Sequence, residues 1–207
     1  MLTLYYAPNA CSRASHITLA KAGADYTARR VNFAQSEQRT PEYLKLNPKG
    51  RVPVLVTPQG VLTETPAILL YIAQTHPQAA LAPLDDPFEL AQAQAFNSYL
   101  CSTVHVAHAH RRRGARWADD EAAQEAMRRK VPQNMSDCFE LIEHDMLRGP
   151  WVMGERLSMC DPYLFTLGTW LEGDGVDIRR FPRVHEHAQR MAAMPAVQKV
   201  LALHRGA

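Results

Sequence analysis

No apolar run in this chain is long enough to cross a membrane, charge of neither sign dominates, and cysteines are few. The longest uninterrupted apolar stretch, Ala67 to Ala73, falls far short of the roughly 20 residues a spanning helix needs. The opening residues Met1-Leu2-Thr3-Leu4-Tyr5-Tyr6 carry no basic segment and no long apolar one, so no secretory signal is read and a cytoplasmic location is expected. The formal charge is only +2 over 207 residues. The single dense basic run, Arg111-Arg112-Arg113, reads as a solvated helix end, and no nucleic-acid partner is suggested. The four cysteines, at 11, 101, 138 and 160, have neither Cys-x-x-Cys spacing nor the density of a disulfide scaffold, which suits reduced thiols in a reducing compartment. Repeats and low-complexity tracts are missing as well. What remains is a globular composition, 46% apolar and 21% charged, with length for a sizeable core in one domain or two.

The densest local information lies in Asn47-Pro48-Lys49-Gly50-Arg51-Val52-Pro53-Val54-Leu55. Pro48 disfavours the helical region for Asn47, so a helix arriving from Thr40 ends there, and Gly50 supplies the positive φ of a turn. Pro53 opens a strand without an N–H, which leaves Val52 extended and its backbone free for a ligand; a cis Val52–Pro53 bond is affordable here. Upstream, Leu2–Tyr6 reads as a strand, Ser12 to Gly23 as a helix capped by Ser12 and stopped by Gly23, and Tyr26–Phe33 as a second strand. Val54–Val56 and Val61–Thr63 flank Pro58-Gln59-Gly60 as an antiparallel hairpin, and Thr65-Pro66 opens a buried helix capped by Thr65. The order β-α-β-α-β-β-α describes an open α/β sheet over residues 1–77. Prolines 77, 83 and 87 mark a linker over 78–87. From the capping box Asp86-Pro87-Phe88-Glu89 onward, residues 88–207 read as all helical, with helices near 87–113, 119–147, 158–171, 182–194 and 196–204. Pro132 should kink or split the second of these.

Cys11 falls where the first strand passes into the first helix. Unpaired helix N–H groups and the dipole's positive end favour a thiolate there, so Cys11 reads as a candidate nucleophile. The other three cysteines read as small buried hydrophobes. His105, His108 and His110 include an i, i+3 pair on one helix face, but no third ligand accompanies them at useful spacing, and no metal site is read.

The run Tyr5-Tyr6-Ala7-Pro8-Asn9-Ala10-Cys11-Ser12 with Ser15-His16-Ile17, the Asn47 to Leu55 stretch, Leu62-Thr63-Glu64-Thr65, and Ser158-x-x-Asp161 before Tyr163-Leu164-Phe165 together resemble a bacterial Beta-class glutathione S-transferase. The resemblance spans nearly the whole chain. It implies an α/β thioredoxin-like N-terminal domain holding glutathione and an all-α C-terminal domain shaping a site for a small hydrophobic electrophile, in a homodimer. It further implies catalytic roles for Cys11, Ser12 and His105, and glutathione contacts from Tyr6, from Val52 before a cis Pro53, from Glu64 and Thr65 at a helix start, and from Ser98 and Thr103 across the dimer. Tyr99, Val104, Ala107 and Trp170 are candidates for the electrophile's wall. Ser158 and Asp161 read as structural caps.

Two departures from the family's pattern stand out. Its lysine after the second strand is replaced by Ala34-Gln35-Ser36-Glu37, and Ser98 and Thr103 stand where it uses Asn and Glu. Both changes replace charge-assisted bonds with weaker ones, so weaker glutathione binding is expected. The implied activity is conjugation of glutathione, its thiol held ionised by Cys11, Ser12 and the helix start, with a thiol-disulfide reductase or peroxidase route through a mixed disulfide at Cys11. The rival is a non-catalytic ligand-binding or regulatory protein of the same fold, of the stringent starvation type.

Overall fold

A computed structural model describes residues 1–205. Four strands form one mixed sheet in the order β2-β1-β3-β4. Strand β1 (Leu2–Tyr6) pairs in parallel with β2 (Tyr26–Arg30) and antiparallel with β3 (Val54–Thr57), which pairs antiparallel with β4 (Gly60–Thr63). Strand β2 stops at Arg30, short of the expected Phe33, because β1 runs out at Tyr6 opposite it. Asn32 then turns the chain, its Oδ1 accepting from the N–H groups of Ala34 and Gln35.

Alternation along the strands sends side chains to two layers. Leu4, Tyr6 and Leu55 face helices α1 (Ser12–Ala22) and α3 (Thr65–Thr75). Tyr5 and Val54 face α2 (Pro41–Leu46) through Tyr43 and Val31. Gly23, at φ 66, ends α1 as expected. The two caps read from the sequence are differently built. Cys11, not Ser12, is the residue preceding α1, and Glu64, not Thr65, precedes α3; neither supplies a side-chain cap bond. By contrast, Thr40 caps α2, and Asp86 accepts from the N–H groups of Phe88 and Glu89.

The rest is helical. α4 (Pro87–Tyr99) continues through a π turn, Leu100–Val104, into α5 (His105–Arg113). α6 (Glu121–Leu141) runs through Pro132 unsplit, and α7 (Asp161–Gly168), α8 (Pro182–Ala192) and α9 (Pro195–Arg205) follow. One apolar cluster joins Leu4, Leu55 and Leu69 to Leu100, Phe139 and Leu164, so sheet and helices share a core. Helix α1 sits at its centre, packed against α3, α7 and α9, which explains why Ser12 through Leu19 are all buried. No helix among the described residues is long and apolar enough to cross a membrane.

Candidate active site

A cleft of about 460 Å³ opens between the sheet's helix-start edge and the long α4–α5 helix. Cys11, partly buried, sits in its wall. The Cys11 thiol donates to the Val52 carbonyl at 3.3 Å, immediately before the Pro53 bond, which is cis. Among the described residues, no group accepts from the Val52 N–H. The sulfur therefore touches the very edge left open for an extended peptide, occupying one acceptor on it.

The thiol is not the thiolate that its helix-start position predicts. Burial raises the Cys11 pKa above its ordinary 9.0, more than the Thr65 hydroxyl and Arg113 lower it, while Glu64 adds to the rise. Desolvation outweighs the hydrogen bonds and the nearby positive charge that favour the thiolate. Thr65 also stands beside the buried Tyr163 phenol, whose pKa is raised by burial and by Cys11 and Cys101.

The loop that presents Cys11 is held from the helical side. Asn9 adopts φ 57, a left-handed conformation that Asn tolerates better than most residues. The Trp170 indole Nε1 donates to the Asn9 carbonyl at 3.0 Å, and the buried Arg13 binds the Asn9 side chain and, at 2.9 Å, the Thr169 hydroxyl. Trp170 is in turn stacked on His108, 4.2 Å between centroids, and His108 Nδ1 lies 2.7 Å from Oδ2 of the buried Asp174. A chain of contacts from Asp174 through His108 and Trp170 thus fixes the cysteine loop. His105 lines the same cleft 5.1 Å from Trp170; burial first, then His108 and nearby arginines, lowers its pKa to about 4, so it is neutral at pH 7.

Four guanidinium groups, of Arg39, Arg51, Arg113 and Arg116, also line the cleft. Arg39 packs on Gly50, whose φ of +60 and lack of a Cβ are both required: a Cβ there would lie 2.9 Å from Nη1. Glu64, itself at φ 71, is the one acidic residue among the cleft's lining side chains, and it is paired with Lys49 at 3.1 Å.

Residues 1–74 match the family model described as the glutathione S-transferase N-terminal domain. Glutathione S-transferase GstA of Escherichia coli O157:H7 is 30% identical over 97% of each chain. The chain belongs to the glutathione S-transferase family. A maleylacetoacetate isomerase of Pseudomonas aeruginosa PAO1 is also 30% identical, covering 96% of this chain and 93% of that protein. Among solved structures, a glutathione transferase homologue from Sulfitobacter with bound glutathione superimposes with a TM-score of 0.95 at 46% identity, and a beta-class glutathione S-transferase of Sphingomonas chungbukensis with 0.84 at 31%; each comparison covers 98% of both chains.

Against the roles that this family implies, Cys11, Val52, Pro53, Glu64, Thr65 and His105 meet in the one cleft. Ser12 does not: its hydroxyl is buried, accepting from the Ala7 N–H at 3.1 Å and donating to the Ala7 carbonyl, so it staples the loop instead of facing a ligand. Tyr6 is 6% exposed and packs against the rings of His16 and His204 in the core. Ser98 and Thr103 are exposed and do not line this chain's cleft. Of the four wall candidates only Trp170 lines it; Val104 and Ala107 are buried in the core, and Tyr99 packs against that core, its hydroxyl reaching the Cys138 carbonyl. Helix α5 presents His105, Val106, His108 and Ala109 instead. The Arg111–Arg113 run is likewise not merely a solvated end, since Arg113 reaches the cleft and Arg111 lies 3.5 Å from Asp174. Arg39 and Arg51 line the cleft as well, so it holds cations on the sheet side although the family's lysine after the second strand is replaced.

Proposed function

We propose that this protein conjugates glutathione to a small electrophile, with Cys11 acting as a protonated donor to the glutathione thiolate. The observation that carries this reading is the Cys11 thiol at 3.3 Å from the Val52 carbonyl, at the edge where a peptide pairs. Glutathione lies along that edge, its cysteinyl backbone on Val52. Its γ-glutamyl carboxylate meets the free N–H groups and dipole at the start of α3, where Thr65 stands, and its ammonium meets Glu64. Its glycyl carboxylate meets Arg39 and Arg51. The thiol then sits against Cys11.

Two adjacent thiolates would repel, so the raised pKa of Cys11 serves the reaction: a neutral S–H donates to the single negative sulfur. The thiolate attacks the electrophilic carbon, the carbon–sulfur bond forms, and the leaving group departs with its electron pair; the thiol proton passes to solvent. His105 enters as a neutral hydrogen-bonding wall, since an imidazole titrating near 4 carries no positive charge at pH 7 and keeps a single N–H. Mixed-disulfide chemistry draws on the Cys11 thiolate, and the raised pKa of that thiol makes the thiolate scarcer and the exchange slower at neutral pH. Ser98 and Thr103, exposed and outside the lining of this chain's own cleft, serve the neighbouring site in a cytoplasmic homodimer.

The test is Cys11→Ala, assayed with glutathione and a chloro-nitroaromatic. Mixed-disulfide formation is expected to vanish and conjugation to fall about tenfold, the loss of one hydrogen bond to a charged group. Unchanged conjugation would remove Cys11 from the mechanism.

A further inference from the structure

The cleft holds more positive charge than glutathione consumes. Arg39, Arg51, Arg113 and Arg116 all line it, and among the described residues none of the four has a carboxylate within ion-pair distance or a hydrogen-bond acceptor for its guanidinium. Arg111, two positions before Arg113, does have a partner in Asp174. The one lining carboxylate, Glu64, is already bound by Lys49. The four cations feel one another: burial, then Arg113, Arg51 and Arg39 lower the pKa of Arg116. Assembling like charges costs free energy in the empty cleft and is offset when an anion enters.

Glutathione, placed as above, takes its charges mainly from the sheet side: the start of α3, Glu64, Arg39 and Arg51. Arg113, at the end of α5, and Arg116, in the turn Gly114–Arg116, come from the helical side. They are left facing the second substrate's space, beside the flat rings of Trp117, Trp170, His105 and His108. Trp117 is 45% exposed, an aromatic surface held at the mouth by an edge contact with His110.

We infer that the second substrate is an electrophile bearing a carboxylate, held by Arg113 and Arg116, with its unsaturated or aromatic reacting carbon laid against Trp170 and His105. This replaces the small hydrophobic electrophile with an anionic one, and it rests on the glutathione-transfer reading above. A guanidinium pair suits a carboxylate because it offers parallel N–H donors in a planar fork.

The test uses one electrophile in two charge states, 4-chloro-3,5-dinitrobenzoate and its methyl ester. In each, the glutathione sulfur bonds to carbon 4, chloride leaves with the electron pair of its bond, and the thiol proton goes to solvent. Each kcat/KM is divided by the uncatalysed rate constant to remove intrinsic reactivity. Wild type is expected to favour the acid about 10- to 100-fold, the range for charge-assisted bonds. Combined Arg113→Gln and Arg116→Gln should erase most of that preference, chiefly through KM, and Arg113→Lys with Arg116→Lys should restore part of it. Calorimetric binding of unreactive 3,5-dinitrobenzoate and its methyl ester to the glutathione-loaded protein reads the same preference without turnover. Equal or inverted preference, insensitive to the double substitution, overturns the inference and leaves glutathione transfer standing. No glutathione binding at all overturns both.

Discussion

Trp170 shows how a single side chain joins the two halves of the site. It stacks on His108 through its face and donates through its edge to the carbonyl of Asn9, two residues before Cys11. Trp170→Phe keeps much of the stacking surface and deletes the donor. We expect kcat/KM for glutathione conjugation to fall about five- to tenfold, the effect of losing one hydrogen bond that positions the cysteine loop, with an unchanged far-UV circular dichroism spectrum; a rate equal to wild type would mean that Arg13 alone holds the loop. At this scale the sequence was legible for Cys11 and the Val52–Pro53 edge, whose backbone constraints are local. It was misleading for Ser12 and Tyr6, which sit in the right motif but point inward. Nothing local distinguishes a hydroxyl that faces a ligand from one that closes its own loop onto Ala7.

Among the elements, α9 is tied to α1 by an unusual contact. His16 Nδ1 and His204 Nε2 lie 3.1 Å apart, both residues buried, between the rings of Tyr6 and Tyr26, and the remaining ring nitrogens have no partner among the described residues. Burial first lowers both pKa values from 6.5, to about 4 for His16 and about 3 for His204, the latter also through His16 and Arg13. The sign follows directly. Between the folded and unfolded pKa values the unfolded chain binds more protons, so stability is complete above about pH 6.5 and falls as pH drops toward 4, each histidine removing about 1.4 kcal/mol for every pH step across that window. The thermal midpoint is therefore expected to fall steeply between pH 6.5 and 4, and His204→Phe should flatten that slope while leaving activity at pH 7.5 in place. An identical slope in the variant would refute the assignment. The helix boundaries themselves were largely readable, since Thr40, Asp86 and Gly23 act on their own neighbours. The Ser158–Asp161 box was readable too, with Asp161 accepting from the Ser158 N–H at 2.6 Å. That Asp161 also accepts from the Val152 N–H and holds His187 at 2.9 Å was not, because both partners come from other segments.

For the whole molecule, sheet and helices divide one continuous core, and α1 is covered on the helical side by α7 and α9. A fragment ending at residue 77 would expose that face of α1 and the apolar side of α3 to water. The expected result is a fragment without native amide dispersion in its NMR spectrum, and a full chain that unfolds in urea as a single transition by circular dichroism and tryptophan fluorescence alike; two separated transitions would show independent domains. The order of strands and helices, the turn at Gly50, the open edge before Pro53 and the candidacy of Cys11 were determined by the sequence itself, because each depends on backbone preferences within a few residues. Only the tertiary structure decided that Cys11 remains protonated, that four arginines from two halves of the chain crowd one cleft, and that Asp174 reaches the cysteine loop through His108 and Trp170. Desolvation and through-space charge are sums over neighbours as far as 188 positions apart in the chain, and those neighbours exist only once it has folded.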